Sequence, residues 1–166
     1  MCRFFHRRKN AQTAIPTEVS ESERLLRFIL SPLHFNKKGA LRSNAYNPTV
    51  NSNEISVTRL DYSSIEECKR LAHKMDCSED GKVVRSYRGF GLLNKGIALA
   101  CGAVDVVGSP KDDNPAHADI LLETVRENGP LPAHLQLVVD SLLEKSKYLN
   151  DPSPESKGWK GDPIVL

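Results

Sequence analysis

Between Ile55 and Lys74 the hydrophobic period of the chain changes within a few residues, so the fold must set a strand and a helix almost back to back. Ile55-Ser-Val-Thr-Arg-Leu alternates apolar and polar side chains and is rich in β-branched residues, the pattern of a strand with Ile55, Val57 and Arg59 on one face. Four residues later Ser64-x-x-Glu67 forms a capping-box signature. Ile65, Cys68, Leu71 and Ala72 then recur at helical spacing, which predicts a helix running to about Lys74.

Ser20-x-x-Glu23 is a second capping-box signature, followed by Leu25, Leu26, Phe28 and Ile29. It predicts a helix that stops near Leu30, ahead of Pro32. Residues 31–53 are punctuated by Asn, Gly, Pro and Ser and read as a long loop. Ser78-Glu-Asp-Gly reads as a turn, and Val83 to Leu93 as a strand in which Gly89 and Gly91 mark a bulge or a close backbone approach. Asn94-Lys95-Gly96 reads as a turn. Ile97 to Cys101 suits a buried strand or a short helix, Ala103 to Val107 suits a strand, and Ala116 to Val125 suits either. From Pro132 to about Leu149 a helix is expected, with Leu135, Leu137, Val138, Val139, Leu142 and Leu143 on its apolar side.

These elements imply an α+β fold in a single domain, a small mixed sheet of three to five strands packed with about three helices. Residues 1–16 read as a flexible basic N-terminal arm, 17–149 as the domain and 150–166 as a Pro/Gly-rich C-terminal tail. Trp159 is the residue expected to pin that tail to the body.

Net charge over the 166 residues is +2, but the charge is uneven. Met1 to Val50 carries nine Lys/Arg against three Asp/Glu, whereas Asp105 to Glu127 carries two against six. The two stretches attract each other within the fold or face different partners. Cys2, Cys68, Cys77 and Cys101 form no C-x-x-C pair and suggest no disulfide framework, so a soluble cytoplasmic protein is expected. The start of the chain lacks the apolar core of a signal peptide, and no apolar run approaches membrane-spanning length. Phosphate-loop, dinucleotide, zinc-protease, hydrolase-elbow and calcium-loop motifs are absent, so no cofactor is expected.

Three groups of residues carry candidate chemistry. In the 31–53 loop, His34 lies near Asn36, Lys37, Lys38 and Arg42. An imidazole flanked by cations suits proton transfer at a ribose hydroxyl beside a bound phosphate, and an ordinary solvated basic loop has the same composition. His117 and Asp119 share a face if their segment is extended. Asp119 then orients the imidazole, or the pair takes a divalent metal with a third ligand such as His34; an exposed loop histidine is the plain alternative. Arg59, on the apolar face of its strand, requires an anionic partner, either a ligand or a carboxylate such as Asp61, Asp105 or Asp119. Arg85, Tyr87, Arg88 and Phe90 mix cations with aromatics and suit base stacking or ordinary packing, and Arg7-Arg8-Lys9 adds a basic cluster.

The expected function is a non-catalytic binding or accessory domain for an anionic ligand, a nucleic acid or a protein partner in a larger assembly, with no membrane partner. The alternative is a small metal-independent ribonuclease or nucleotide-processing enzyme. There His34 and His117 share acid–base work, and Lys37, Lys38, Arg42 and Arg59 hold phosphate. That version requires both imidazoles in one cleft.

Overall fold

The structure, a computed structural model, describes residues 14–166, so the Arg7-Arg8-Lys9 cluster, Cys2 and most of the expected basic arm lie outside the described residues. Seven strands form one sheet: β1 (Arg24–Ser31), β2 (Glu54–Arg59), β3 (Cys77–Glu79), β4 (Lys82–Asn94), β5 (Asp105–Gly108), β6 (His117–Leu121) and β7 (Lys147–Asn150). Their order is β3-β4-β1-β2-β6-β5, and β7 also pairs with β4. Three α-helices accompany them among the described residues: α1 (Ile65–His73), α2 (Lys95–Ala100) and α3 (Ala133–Lys145). The fold is α+β, but the sheet exceeds the expected three to five strands. It is also not mixed, because every strand pairing is antiparallel. Among the described residues no helix is long and apolar enough to cross a membrane.

The extra strands have identifiable causes. Residues 24–31 form β1 and not the helix read from Ser20-x-x-Glu23. Half of that box does form: Glu23 Oε1 accepts from the Ser20 N–H at 2.9 Å. The chain then extends, because β1 lies between β4 and β2 and is covered on both faces. Leu25 and Ile29 pack on one side, Leu26 and Leu30 on the other. Two-sided burial places apolar residues at 25, 26, 29 and 30, a spacing that imitates a helical face. Among the ambiguous segments, Lys95–Ala100 is helical because Asn94 Oδ1 accepts from the Ile97 N–H at 2.8 Å and starts the turn. His117–Leu121 is a strand held against β2. The last helix ends at Lys145, and Ser146 turns the chain into β7, against Gly89 to Leu92.

One face of the sheet carries the larger core. Ile55 and Val57 of β2 and Ala118 and Ile120 of β6 meet Leu135, Val139 and Leu142 of α3. Full burial of the Val, Leu and Ile side chains among these contributes roughly 1.5–3 kcal/mol each. The other face is only half covered. There α1 sets Cys68 and Ala72 against Leu26, Leu30, Phe90 and Leu92, and its start forms half of the expected box, with Ser64 Oγ accepting from the Glu67 N–H at 3.1 Å while the Glu67 carboxylate bonds Arg70. Trp159 completes this layer, its ring 5.7 Å from that of Phe90. The β2–β6 part of this face is left for polar side chains.

Gly89 and Gly91 of β4 sit where the sheet is tightest. The β1 register slips between Ile29, opposite Gly89, and Leu30, opposite Tyr87, so Arg88 is the bulged residue. Gly89 has φ +155°, and a Cβ there would run into the Leu149 carbonyl of β7. A Cβ on Gly91 would meet the Tyr46 hydroxyl.

Candidate binding cleft

Period-two alternation along β2 and β6 puts Ser56, Thr58, His117 and Asp119 on the face opposite the α3 core. Antiparallel register pairs them directly, Ser56 with Asp119 and Thr58 with His117. Ser56, Thr58 and His117 of this square line a cleft of about 320 Å³ between the sheet, the end of α1 and the 109–114 loop, and Asp113 lines it too. Leu26 and Phe28 of β1 and Leu71 and Met75 beside them give the cleft an apolar part. Lys74, Lys111 and Asn114 line it as well. Lys74 Nζ meets Asp113 at 3.0 Å, an exposed ion pair that links α1 to the loop. Arg27 reaches the cleft where β1 and β2 part company. Its guanidinium donates to the Ala45 carbonyl of the 43–46 turn at 2.7 Å and to the Ser56 carbonyl at 2.8 Å, where the β1–β2 pairing has ended.

His117 is 5% exposed and its two ring nitrogens have different surroundings. Nδ1 lies 2.9 Å from the Ser109 carbonyl and 2.8 Å from Ser109 Oγ. A carbonyl only accepts, and the single Ser109 hydroxyl proton is donated to Asp119 Oδ2. Ser56 Oγ donates to the other Asp119 oxygen at 3.3 Å. Nδ1 therefore carries the proton, and the chain runs from His117 through Ser109 to Asp119. Nε2 is left buried, with no partner among the described residues. Burial, reinforced by the nearby Lys111 ammonium and opposed by Asp119, holds His117 below the ordinary imidazole value. The neutral ring thus presents a lone pair at Nε2. Asn114, also buried, is fixed by donation from Nδ2 to Thr58 Oγ1 at 2.9 Å.

The other candidates lie elsewhere. His34 is buried in the turn after β1, where Nδ1 accepts from the Leu30 N–H at 3.1 Å. Burial and the Arg27 charge push it down to about 4. It does not line the cleft that His117 lines. Lys37, Lys38 and Arg42 are exposed. Asn36 Oδ1 shapes their turn by accepting from the Lys38 and Ala40 N–H groups at 2.8 and 3.0 Å. Among these, Lys37 lines a separate depression with Arg88 and Tyr148.

Arg59 is 1% exposed and spends its guanidinium on the protein. Nε and Nη2 grip the Glu23 carboxylate at 2.7 and 2.9 Å, Nη2 donates to the Glu18 carbonyl and Nη1 to the Pro16 carbonyl. The Tyr62 ring packs 4.4 Å away. Its anionic partner is thus Glu23, and not Asp61, Asp105 or Asp119. Arg59 fastens the 16–23 segment to the sheet. Tyr87 and Phe90 are core residues and form no stacking platform.

Sequence reasoning found His117 and Asp119 but not the groups that give them meaning. Ser56 and Thr58 are visible as the polar half of the β2 alternation. Ser109, Lys74 and Lys111 have no local signature, because they reach the site through loop closure. Among the described residues no third His, Cys, Asp or Glu joins His117 and Asp119 in a group able to hold a metal. Comparison with known protein families, with curated proteins and with solved structures gives no match, so the functional reading rests on this geometry.

Proposed function

We propose that the protein is a cytoplasmic, non-catalytic binding domain that takes a small anionic ligand in the cleft beside His117. The observation that carries this reading is the orphaned His117 Nε2 on a ring held in place by Ser109 and Asp119. A buried acceptor without a partner costs about 1–3 kcal/mol, which a ligand donor would relieve. Lys111 supplies positive charge at the rim, with no ion-pair partner among the described residues. A polar wall, an apolar part and a few convergent polar groups are the usual composition of a small-ligand site. The free thiols of Cys68, Cys77 and Cys101 suit a reducing compartment.

The ribonuclease alternative needs a second acid–base group beside His117, and His34 is not at this cleft. The test is an amide NMR titration with inorganic phosphate and with phosphorylated metabolites, run beside incubation with cellular RNA in EDTA. The reading expects shifts concentrated at 109–117 and around Ser56 and Thr58, with RNA left intact. Shifts at 36–42 with a silent cleft, or RNA cleavage abolished by His117→Ala, would overturn it.

A further inference from the structure

Resting on the cleft reading, we infer that the ligand class is a ribonucleoside monophosphate, with a ribose hydroxyl donating to His117 Nε2. Because Ser109 and Asp119 fix the proton on Nδ1, Nε2 accepts and does not donate. A bare dianionic phosphate or a carboxylate offers Nε2 no proton and sets one lone pair against another. The ligand must therefore bring a donor of its own, a hydroxyl or an N–H.

Three further features narrow the class. Lys111 on the cleft lining calls for an anionic group on the same molecule, whereas Lys74 is already paired with Asp113, which lines the cleft too. Phe28, Leu26, Leu71 and Met75 call for an apolar or aromatic part, which a sugar phosphate lacks. The volume of about 320 Å³ lies at the small end of ligand sites, enough for one nucleotide unit and not for a folded polymer. A free nucleoside lacks the anion, and a dideoxynucleotide lacks the ribose hydroxyls, keeping only the N–H donors of its base. A ribonucleoside monophosphate carries all three: a ring for the apolar part, a hydroxyl for Nε2 and a phosphate for Lys111. Ser109 is then a positioning residue for specificity. It never touches ligand, yet it decides which ring nitrogen offers the lone pair.

The experiment is calorimetry and amide NMR on the full chain. The probes are adenosine and uridine 5′-monophosphates, the 2′,3′-dideoxy analogue of each, adenosine, and inorganic phosphate. The expected result is that at least one ribonucleotide binds at the cleft and that its dideoxy analogue binds about tenfold more weakly, the effect of one lost hydrogen bond to a buried acceptor. His117→Phe, checked for an unchanged fold by its amide spectrum, should erase that difference. Lys111→Gln, an exposed change, should weaken the nucleotides and leave adenosine alone. Equal affinity for ribo and dideoxy forms, or inorganic phosphate perturbing the cleft as strongly as any nucleotide, would overturn the ribonucleotide inference and leave the anion cleft standing. Silence of the cleft toward every probe would overturn both.

Discussion

Replacing Lys69 by Met tests how the C-terminal segment is held. Lys69 of α1 is 1% exposed, and its ammonium is fully used. Nζ meets Asp151 Oδ2 at 2.6 Å and donates to the Ser153 and Gly158 carbonyls at 3.0 and 3.1 Å. Asp151, 3% exposed, also accepts from the Tyr87 hydroxyl at 3.0 Å and from the Ser153 N–H at 3.0 Å. Met fills the volume of the lysine stem but removes the charge. Asp151 then stays buried with two neutral donors, and two carbonyls lose their proton donor. Breaking a buried pair from one side costs about 3–5 kcal/mol, a large part of the roughly 5–15 kcal/mol that holds a domain folded. Urea unfolding at pH 7 reads the loss directly. The double variant Lys69→Met/Asp151→Leu removes both charges and should recover at least about 1 kcal/mol relative to the single one. A single-variant loss below about 1 kcal/mol would refute the reasoning, because it would mean that Asp151 finds water once Lys69 is gone.

Two other perturbations address the turn after β1 and the bulge it pairs with. His34 is held neutral, its folded value depressed to about 4 from the ordinary 6.5, so its contribution is complete above pH 6.5 and is lost as pH falls through 4. At about 1.4 kcal/mol per pKa unit, urea unfolding should show His34→Gln losing about 2–3 kcal/mol less than the parent between pH 7 and pH 4; parallel pH profiles would contradict this. Gly89→Ala places a Cβ against the Leu149 carbonyl at φ +155° and should lower stability by about 1–3 kcal/mol while raising hydrogen exchange in β7; an unchanged melting temperature would contradict that.

What could be read from the chain alone depended on whether a residue's partner was local. The α1 start was legible because Ser64 and Glu67 are three residues apart and the Ser64 side chain caps the Glu67 N–H within one turn, although the Glu67 carboxylate turns to Arg70. The same signature at Ser20 and Glu23 misled, since Glu23 is drawn to Arg59 across the sheet and β1 is buried on both sides. Strand β7 was hidden because Leu149 continues the apolar rhythm of α3, and only its pairing with Phe90 separates the two. At the cleft, His117 and Asp119 were legible as a pair two residues apart on an extended segment. Their significance was not, because the tautomer is set by Ser109, eight residues away on the neighbouring loop. Arg59 was legible as needing an anion, but its partner Glu23 was not, because it lies on a separate segment brought alongside by the sheet.

The central claim is that His117 stands neutral at pH 7 with its proton on Nδ1 and an unfilled acceptor at Nε2. Long-range proton–nitrogen NMR on the imidazole of His117, with Ser109→Ala beside the parent, measures this directly. The account predicts a neutral ring protonated at Nδ1 in the parent and still protonated at Nδ1 in Ser109→Ala, because the main-chain carbonyl of residue 109 that accepts this proton is retained. A parent ring protonated at Nε2, or doubly protonated at pH 7, would contradict it.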